Sequence, residues 1–314
     1  ITNITCPKKA GRRRVQELVS PKQVAQAIGV SESSLKRWCD QGILPSIKTA
    51  GGHRRLPVNG VLSYLRATGH PLRDPEALGL PPATTGGGDR KIEQEKARLI
   101  QALVEGDEQL SRQIVLNLYL ADFSIAEICD GVLAPAFFEI GERWGCGQVH
   151  VYQERRSCEL CHRLMHELRR ALPDLPSTAP LALGGTLDGD PYTLASAMAE
   201  LVLRNRGWRA CSLGNMLPFH TLRAAICDTH PRLFWLSVSA IRDESAFYEE
   251  FERLYQLAHE SDVALVIGGK ALLPEVRERL RFDACCNTFD ELSRFAASLE
   301  HSTEASDGPP AAVD

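Results

Sequence analysis

Apolar residues recur at three- and four-residue spacing through the first 172 positions and shift to short continuous runs after that. The first spacing is that of a helix face buried on one side, and the second that of strands buried on both sides. In "SPKQVAQAIGV" Val24, Ala27 and Ile28 share a helical face; Ser20 is placed to cap it, Pro21 to occupy its first position and Gly29 to end it. "SESSLKRWCDQGI" follows directly, with Ser31 as the next cap and a stop near Gly42. Two short helices around a tight turn predict a helix-turn-helix. "LPSIKTAGGHRRLP" then reads as two extended runs about Gly51-Gly52, a hairpin wing, and "VNGVLSYLRATG" as a third helix.

The pattern divides the remainder. Residues 70–90 are rich in Pro, Gly and Thr and read as a linker after a first domain over 1–69. Residues 91–172 hold four amphipathic segments, beginning "KIEQEKARLIQ", "EQLSRQIVLNL", "SIAEICDGVLAPAF" and "VYQERRSCELCH", with short connections. They predict a four-helix bundle. "PDLPS" at 173–177 is a second, short linker. From 178 to 299 the runs "PLALGGT", "RACSLG", "RLFWLSVS", "VALVIGG" and "DACCNT" alternate with helical stretches, which predicts a doubly wound parallel sheet of Rossmann-like type. Residues 300–314, polar and Pro-rich, are expected to be a disordered tail. The fold class is thus multidomain, α and α/β.

Composition adds an asymmetry. The formal net charge is −4 over 314 residues. Residues 1–80 nevertheless carry thirteen Lys and Arg against five Asp and Glu, and the rest 23 against 35. A basic first segment on an acidic body points to an anionic partner for that segment, double-stranded DNA first among them. No apolar run is long enough for a membrane helix, and "ITNITCPKKAGRRR" lacks the apolar core of a secretion signal, so a cytoplasmic protein is expected. The ten cysteines are then reduced, and Cys129, Cys211 and Cys227 lie in apolar patterns as small hydrophobes.

The basic residues fall on the two elements that would touch DNA. Ser34, Lys36 and Arg37 lie on the second helix, which enters the major groove in such domains. His53, Arg54 and Arg55 lie at the wing, where cations neutralise phosphates. Trp38 is either core or contact. Binding as a dimer to two half-sites, and hence a homo-oligomer, is expected.

Over residues 18–66 the chain resembles the MerR-type winged-helix DNA-binding domains, through "SPKQVAQAIGVSESSLKRW", "GIL" at 42–44 and "GGHRR" at 51–55. With a bundle and an α/β domain behind such a wing, the whole is similar to the cobalamin-dependent regulators of the CarH/LitR type. The resemblance implies a photoreceptor that represses promoters in the dark, holds adenosylcobalamin between bundle and α/β domain, and comes apart in light. In that family a Trp is followed ten positions later by a Glu-His pair over the upper face of the cofactor. Trp144 and Glu154 stand at that spacing, with Arg155 in place of the His and Gly145 where the family's other upper-face His follows the Trp.

Below the cofactor the family carries an Asp-x-His-x-x-Gly turn after its first strand, the His on cobalt and the Asp on its other ring nitrogen. "DGDPYT" at 188–193 follows the first strand here. Asp188 is aligned with the Asp, Asp190 with the His and Thr193 with the Gly, so the metal-ligating residue is missing and none is assigned. A carboxylate is a hard donor and a poor substitute for imidazole on cobalt. By the same resemblance Ser237 and Ser239 of "SVS", and Gly268 and Gly269, line the cofactor site; glycine there permits close backbone approach.

Three outcomes follow for the ligand: cobalamin without a His ligand, another flat ligand such as a different tetrapyrrole, or none, with the C-terminal domains serving oligomerisation or a protein partner. An enzyme would need a catalytic domain beside the cofactor domain, or Asp188 and Asp190 as an acid/base pair; no activity is assigned. "CELCH" at 158–162 fits covalent haem attachment, and His162 and His166 lie near it for zinc. Its mid-helix place favours plain helix-face Cys and His.

Overall fold

A computed structural model describes residues 18–81 and 92–304, the side chains of 301–304 excepted. It contains two compact units, divided after Gly86.

In the first unit β1 (Leu18–Val19) leads into α1 (Pro21–Ile28) and α2 (Glu32–Asp40). The Ser20 hydroxyl accepts from the Gln23 amide and the Gln23 side chain returns the bond, a reciprocal cap, while Gly29 ends α1 in the left-handed region at φ 72°. Ser31 caps α2 through the Ser34 amide. β2 (Ile47–Lys48) and β3 (Arg54–Pro57) form the wing, its turn closed by Thr49 and His53 around Gly52. β3 pairs antiparallel with both β1 and β2 and runs directly into α3 (Val58–Thr68). Val24, Ile28, Leu35, Leu44, Leu56, Leu62 and Leu65 are buried as one core.

The expected linker over 70–90 starts later than its composition suggested. Leu72 and Leu78 are buried, the Arg73 and Asp74 amides donate to the Ala27 carbonyl, and Pro75–Leu78 forms a 3₁₀ turn. Residues 70–81 therefore belong to the first unit. Residues 82–91 lie outside the described residues.

The second unit opens with α4 (Ile92–Glu105), α5 (Glu108–Leu120), α6 (Ile125–Ile128), α7 (Ala134–Gly145) and α8 (Val151–Ala171). α6 and α7 are one helix opened by a π turn at Cys129–Leu133. Pro135 explains the opening: it has no N–H, and its ring would meet the Gly131 carbonyl in a regular helix. The four predicted helical segments are thus present, the third with this bulge.

β4 (Leu181–Thr186), α9 (Leu194–Asn205), β5 (Arg209–Ser212), α10 (Phe219–Thr229), β6 (Leu233–Ser237), α11 (Glu244–Glu260), β7 (Ala264–Gly268), α12 (Pro274–Arg277), β8 (Ala284–Cys285) and α13 (Phe289–Glu304) complete the unit. All five strands are parallel, in the order β5-β4-β6-β7-β8. Alternate residues feed two layers. Phe234 and Leu236 of β6 pack with Phe251 and Leu254 on one face; Leu233 and Trp235 pack with Ala199, Leu203 and Leu292 on the other. The order reverses between β4 and β6, so the loops that follow these two strands part at the carboxyl edge. The helix α13 runs to Glu304, past the expected start of the tail at 300; residues 305–314 lie outside the described residues.

Several contacts fasten the bundle to this α/β domain. α8 packs along α9, and Arg169 pairs with Glu200, whose other oxygen accepts from the Ser212 amide at 2.9 Å. The Asp130 carboxylate, carried on the π turn, accepts from the amides of Phe289 at 2.8 Å and Asp290 at 2.9 Å at the start of α13. His162 on α8 meets the Thr193 hydroxyl at 2.7 Å. Among the described residues no helix is long and apolar enough to cross a membrane.

Candidate functional site

The residues expected on the DNA side divide by what already holds them. Arg54 lies at the start of β3, and its guanidinium donates to Asp40 at 2.6 Å and to the Lys36 carbonyl at 3.1 Å. It ties the wing to α2, and the Asp40 bond raises its pKa further. Lys36 pairs with Glu32 at 2.9 Å, and the Ser34 hydroxyl meets that of Ser31 at 2.8 Å. The side chains of Arg37, His53 and Arg55 stand free of polar partners among the described residues. So does that of Lys48 on β2, which sequence reasoning passed over because it lies outside "GGHRR". Trp38 resolves toward packing: it is half-buried, with its ring centroid 5.7 Å from that of Tyr64 on α3.

In the second unit an apolar cavity of about 190 Å³ opens at the carboxyl edge of the sheet, between α9 and α13. Ala195, Ala199, Ser237, Gly268, Thr288 and Phe289 are among its walls. Ser237, Gly268 and Gly269 are together in its lining. A methyl group on Gly268 would stand 2.8 Å from the Cys286 carbonyl, and one on Gly269, at φ 125°, would stand 2.3 Å from that of Val238. Only glycine allows this close approach of backbone to backbone. The Ser237 hydroxyl is buried without a hydrogen-bond partner. Asn287 and Thr288 add polar groups to an otherwise mostly apolar lining.

The turn after β4 departs from expectation. Asp190 is fully buried. Its Oδ2 accepts from the amides of Ser239 at 2.6 Å and Ala240 at 3.3 Å, and its Oδ1 from that of Tyr192 at 3.1 Å. It is turned into the protein, which does not suit the cobalt-facing position to which the alignment assigned it. Ser239 contributes its backbone amide. Asp188 is exposed. With one carboxylate in solvent and the other enclosed by amides, the two form no shared acid/base site.

Trp144 ends α7 and is 49% exposed. Glu154, in the first turn of α8, pairs with the adjacent Arg155 at 3.4 Å and accepts from the Cys158 thiol at 3.3 Å. Burial and the Glu154 charge push that thiol up to about 12. Burial pushes the Cys161 thiol up as well. Both cysteines are protonated and sit in mid-helix, unlike a metal or haem anchor. Among the described residues no group of three or more His, Cys, Asp and Glu could hold a metal ion. Burial lowers the pKa of His162. Tyr192 and Lys270 carried no spacing signal that singled them out, and the "CELCH" spacing that drew attention to Cys158 and His162 pointed to a different chemistry.

Comparison with known proteins places these parts. Residues 18–69 match the family described as helix-turn-helix domain, and residues 95–169 the family described as B12 binding domain. The chain therefore joins a helix-turn-helix domain to a B12-binding domain with a Rossmann-like sheet behind it. It is 27% identical over 268 residues to the HTH-type transcriptional repressor CarH of Myxococcus xanthus, across 79% of this chain and 87% of the repressor. It is also 17% identical over 191 residues to the trimethylamine corrinoid protein of Methanosarcina barkeri, covering 60% of this chain and 88% of that one. The monomethylamine corrinoid protein of the same organism shares its fold, with a TM-score of 0.55 at 16% identity, over 67% of this chain and all of the other.

Proposed function

We propose that the protein is a DNA-binding transcriptional regulator whose bundle and α/β domain sense a cobalamin. The observation that carries this reading is the cavity lined by Ser237, Gly268 and Gly269 at the carboxyl edge of the sheet, in a chain whose residues 18–69 match a helix-turn-helix domain. The glycines admit the nucleotide tail of the cofactor, and Ser237 donates to its base. Trp144 and Glu154 stand over the upper face, with Arg155 holding Glu154 where the family uses His. Arg37, His53, Arg55 and Lys48 bind the duplex, in a homo-oligomer and in the cytoplasm. The role in this reading is binding: Asp188 lies in solvent and Asp190 is enclosed by amides, so the two carboxylates do not act as a pair.

Adenosylcobalamin supplies a light-sensitive cobalt–carbon bond when bound, so the regulator is expected to respond to light. The test mixes the full-length protein with adenosylcobalamin in the dark, desalts it, and records the visible spectrum and DNA mobility before and after green light. Retained corrinoid absorbance, with a light-dependent change in DNA mobility, supports the reading. A colourless protein that still shifts DNA would replace it with a repressor whose C-terminal half serves oligomerisation or a protein partner.

A further inference from the structure

We propose that the turn after β4 presents Tyr192, and not Asp190, to the lower face of the bound corrinoid, with Asp190 as the buried anchor of the turn, and that the protein places no nitrogen of its own on cobalt. This rests on the cobalamin reading above.

The geometry sets the register. An Asp-x-His-x-x-Gly turn needs a carboxylate held within the protein, a side chain that leaves the turn two residues later, and a residue without bulk three residues after that. Asp190, Tyr192 and Ala195 meet these needs at that spacing. Asp190 is buried and accepts from three amides, one of them that of Tyr192 itself, so the carboxylate fixes the backbone from which the Tyr192 ring projects. The ring is 48% exposed at the carboxyl edge of the sheet. The Lys270 ammonium lies 4.7 Å from its centroid and, following Gly269, holds it beside the second loop that borders the cavity. The Pro191 carbonyl accepts from Asn215 at 3.1 Å, which steadies the turn further. Ala195 is a wall of the cavity, where a larger side chain would fill it.

The alternative register inverts every requirement. It puts the outward side chain at buried Asp190, its buried partner at exposed Asp188, and the small residue at Thr193, whose hydroxyl is engaged by His162. The His162 imidazole contacts the turn through Nε2, which is engaged by the Thr193 hydroxyl. Tyr192 therefore supports the corrin with a flat ring and offers no nitrogen lone pair. The base of the nucleotide tail, drawn into the cavity beside Ser237, offers none to cobalt either.

The test loads full-length wild type, Tyr192→His and Asp190→His with cob(II)alamin, desalts each, and records electron paramagnetic resonance spectra. A coordinated nitrogen splits each cobalt hyperfine line into a triplet. Unsplit lines are expected for wild type, triplets for Tyr192→His, and unsplit lines or loss of fold, read by circular dichroism, for Asp190→His. Tyr192→Phe should retain the corrinoid with unsplit lines, a control that asks nothing of the fold. Triplets in wild type, triplets in Asp190→His, or unsplit lines in a folded Tyr192→His that holds its corrinoid would each overturn the proposal. No corrinoid retained by any of the proteins, wild type included, would overturn the cobalamin reading itself.

Discussion

The Asp190 carboxylate accepts a 2.6 Å hydrogen bond from the Ser239 amide and so ties the turn after β4 to the loop after β6, across the point where the strand order reverses. Removing it leaves three amides without their acceptor. Hydrogen bonds to a charged group contribute about 1.5–3 kcal/mol, and orphaned buried donors cost a similar amount. Asp190→Ala is expected to destabilise the second unit by about 2–3 kcal/mol, a fall in Tm of about 5–10 °C for a unit of this size. Asp188→Ala, on the surface, should leave Tm within a degree or so. Equal effects of the two in a thermal melt would refute the anchor.

Arg54 and Arg55 are neighbours in sequence with different duties. Arg55 has no polar partner among the described residues, whereas Arg54 braces the wing against Asp40. Arg55→Ala and Arg37→Ala should each weaken duplex binding and reduce the slope of log K against log salt by about one. Arg54→Ala should weaken binding through a loosened wing. Asp40→Ala separates the two modes. It removes a negative charge, which would help a simple phosphate contact, yet it also removes the brace. Weaker binding by Asp40→Ala is expected, and tighter binding would return Arg54 to the contact surface.

Much of this organisation is legible in the sequence, for reasons that differ by element. The helices of the first unit announce their ends because Ser20, Ser31 and Gly29 satisfy backbone groups locally. The five parallel strands are buried on both faces and so read as apolar runs. What is not legible depends on distant partners. Two aspartates two residues apart look alike until Ser239, 49 positions away, selects one. Nothing in "HRR" says which arginine Asp40 will hold. The Pro- and Gly-rich stretch at 70–81 reads as linker because its two anchoring leucines, Leu72 and Leu78, are too sparse to show a period.

Ser237 links ligand binding to stability with opposite signs. Its buried hydroxyl lacks a partner inside the cavity, and such a group costs about 1–3 kcal/mol. Ser237→Ala removes that cost, so the ligand-free protein should melt higher by about 2–10 °C. The same change removes the donor proposed for the nucleotide base, so cobalamin should wash out faster on desalting. A variant that is both less stable and unchanged in retention would place Ser237 outside the ligand site.

His162 gives the bundle contact a pH dependence. Burial lowers its pKa from the ordinary value of 6.5, against a smaller opposing effect of Glu159. The unfolded chain therefore binds a proton at higher pH than the folded one, and stability from this group is present above about pH 6.5 and is lost as the pH falls through it. Between about pH 7.5 and 5.5, Tm should fall more in wild type than in His162→Gln, which keeps a hydrogen-bonding partner for Thr193 without the titration. Parallel profiles would show that the imidazole does not titrate differently on folding.

Asp130 fastens the bundle to the residues that border the cavity. Its two oxygens take the amides of Phe289 and Asp290 at the first turn of α13, while Thr288 and Phe289 are walls of the cavity. A carboxylate at a helix start contributes as a cap, about 1 kcal/mol, and through the helix dipole, about 0.3–1 kcal/mol. Asp130→Ala should therefore cost about 1–2 kcal/mol, with faster hydrogen exchange confined to the start of α13. Asp130→Asn, which keeps one acceptor and loses the charge, should fall between. Because bundle and cavity meet in the same few amides, cobalamin added to wild type should slow exchange at Phe289 and Asp290 more than it does in Asp130→Ala. Equal protection in both proteins would mean that ligand occupancy does not reach the bundle through this contact.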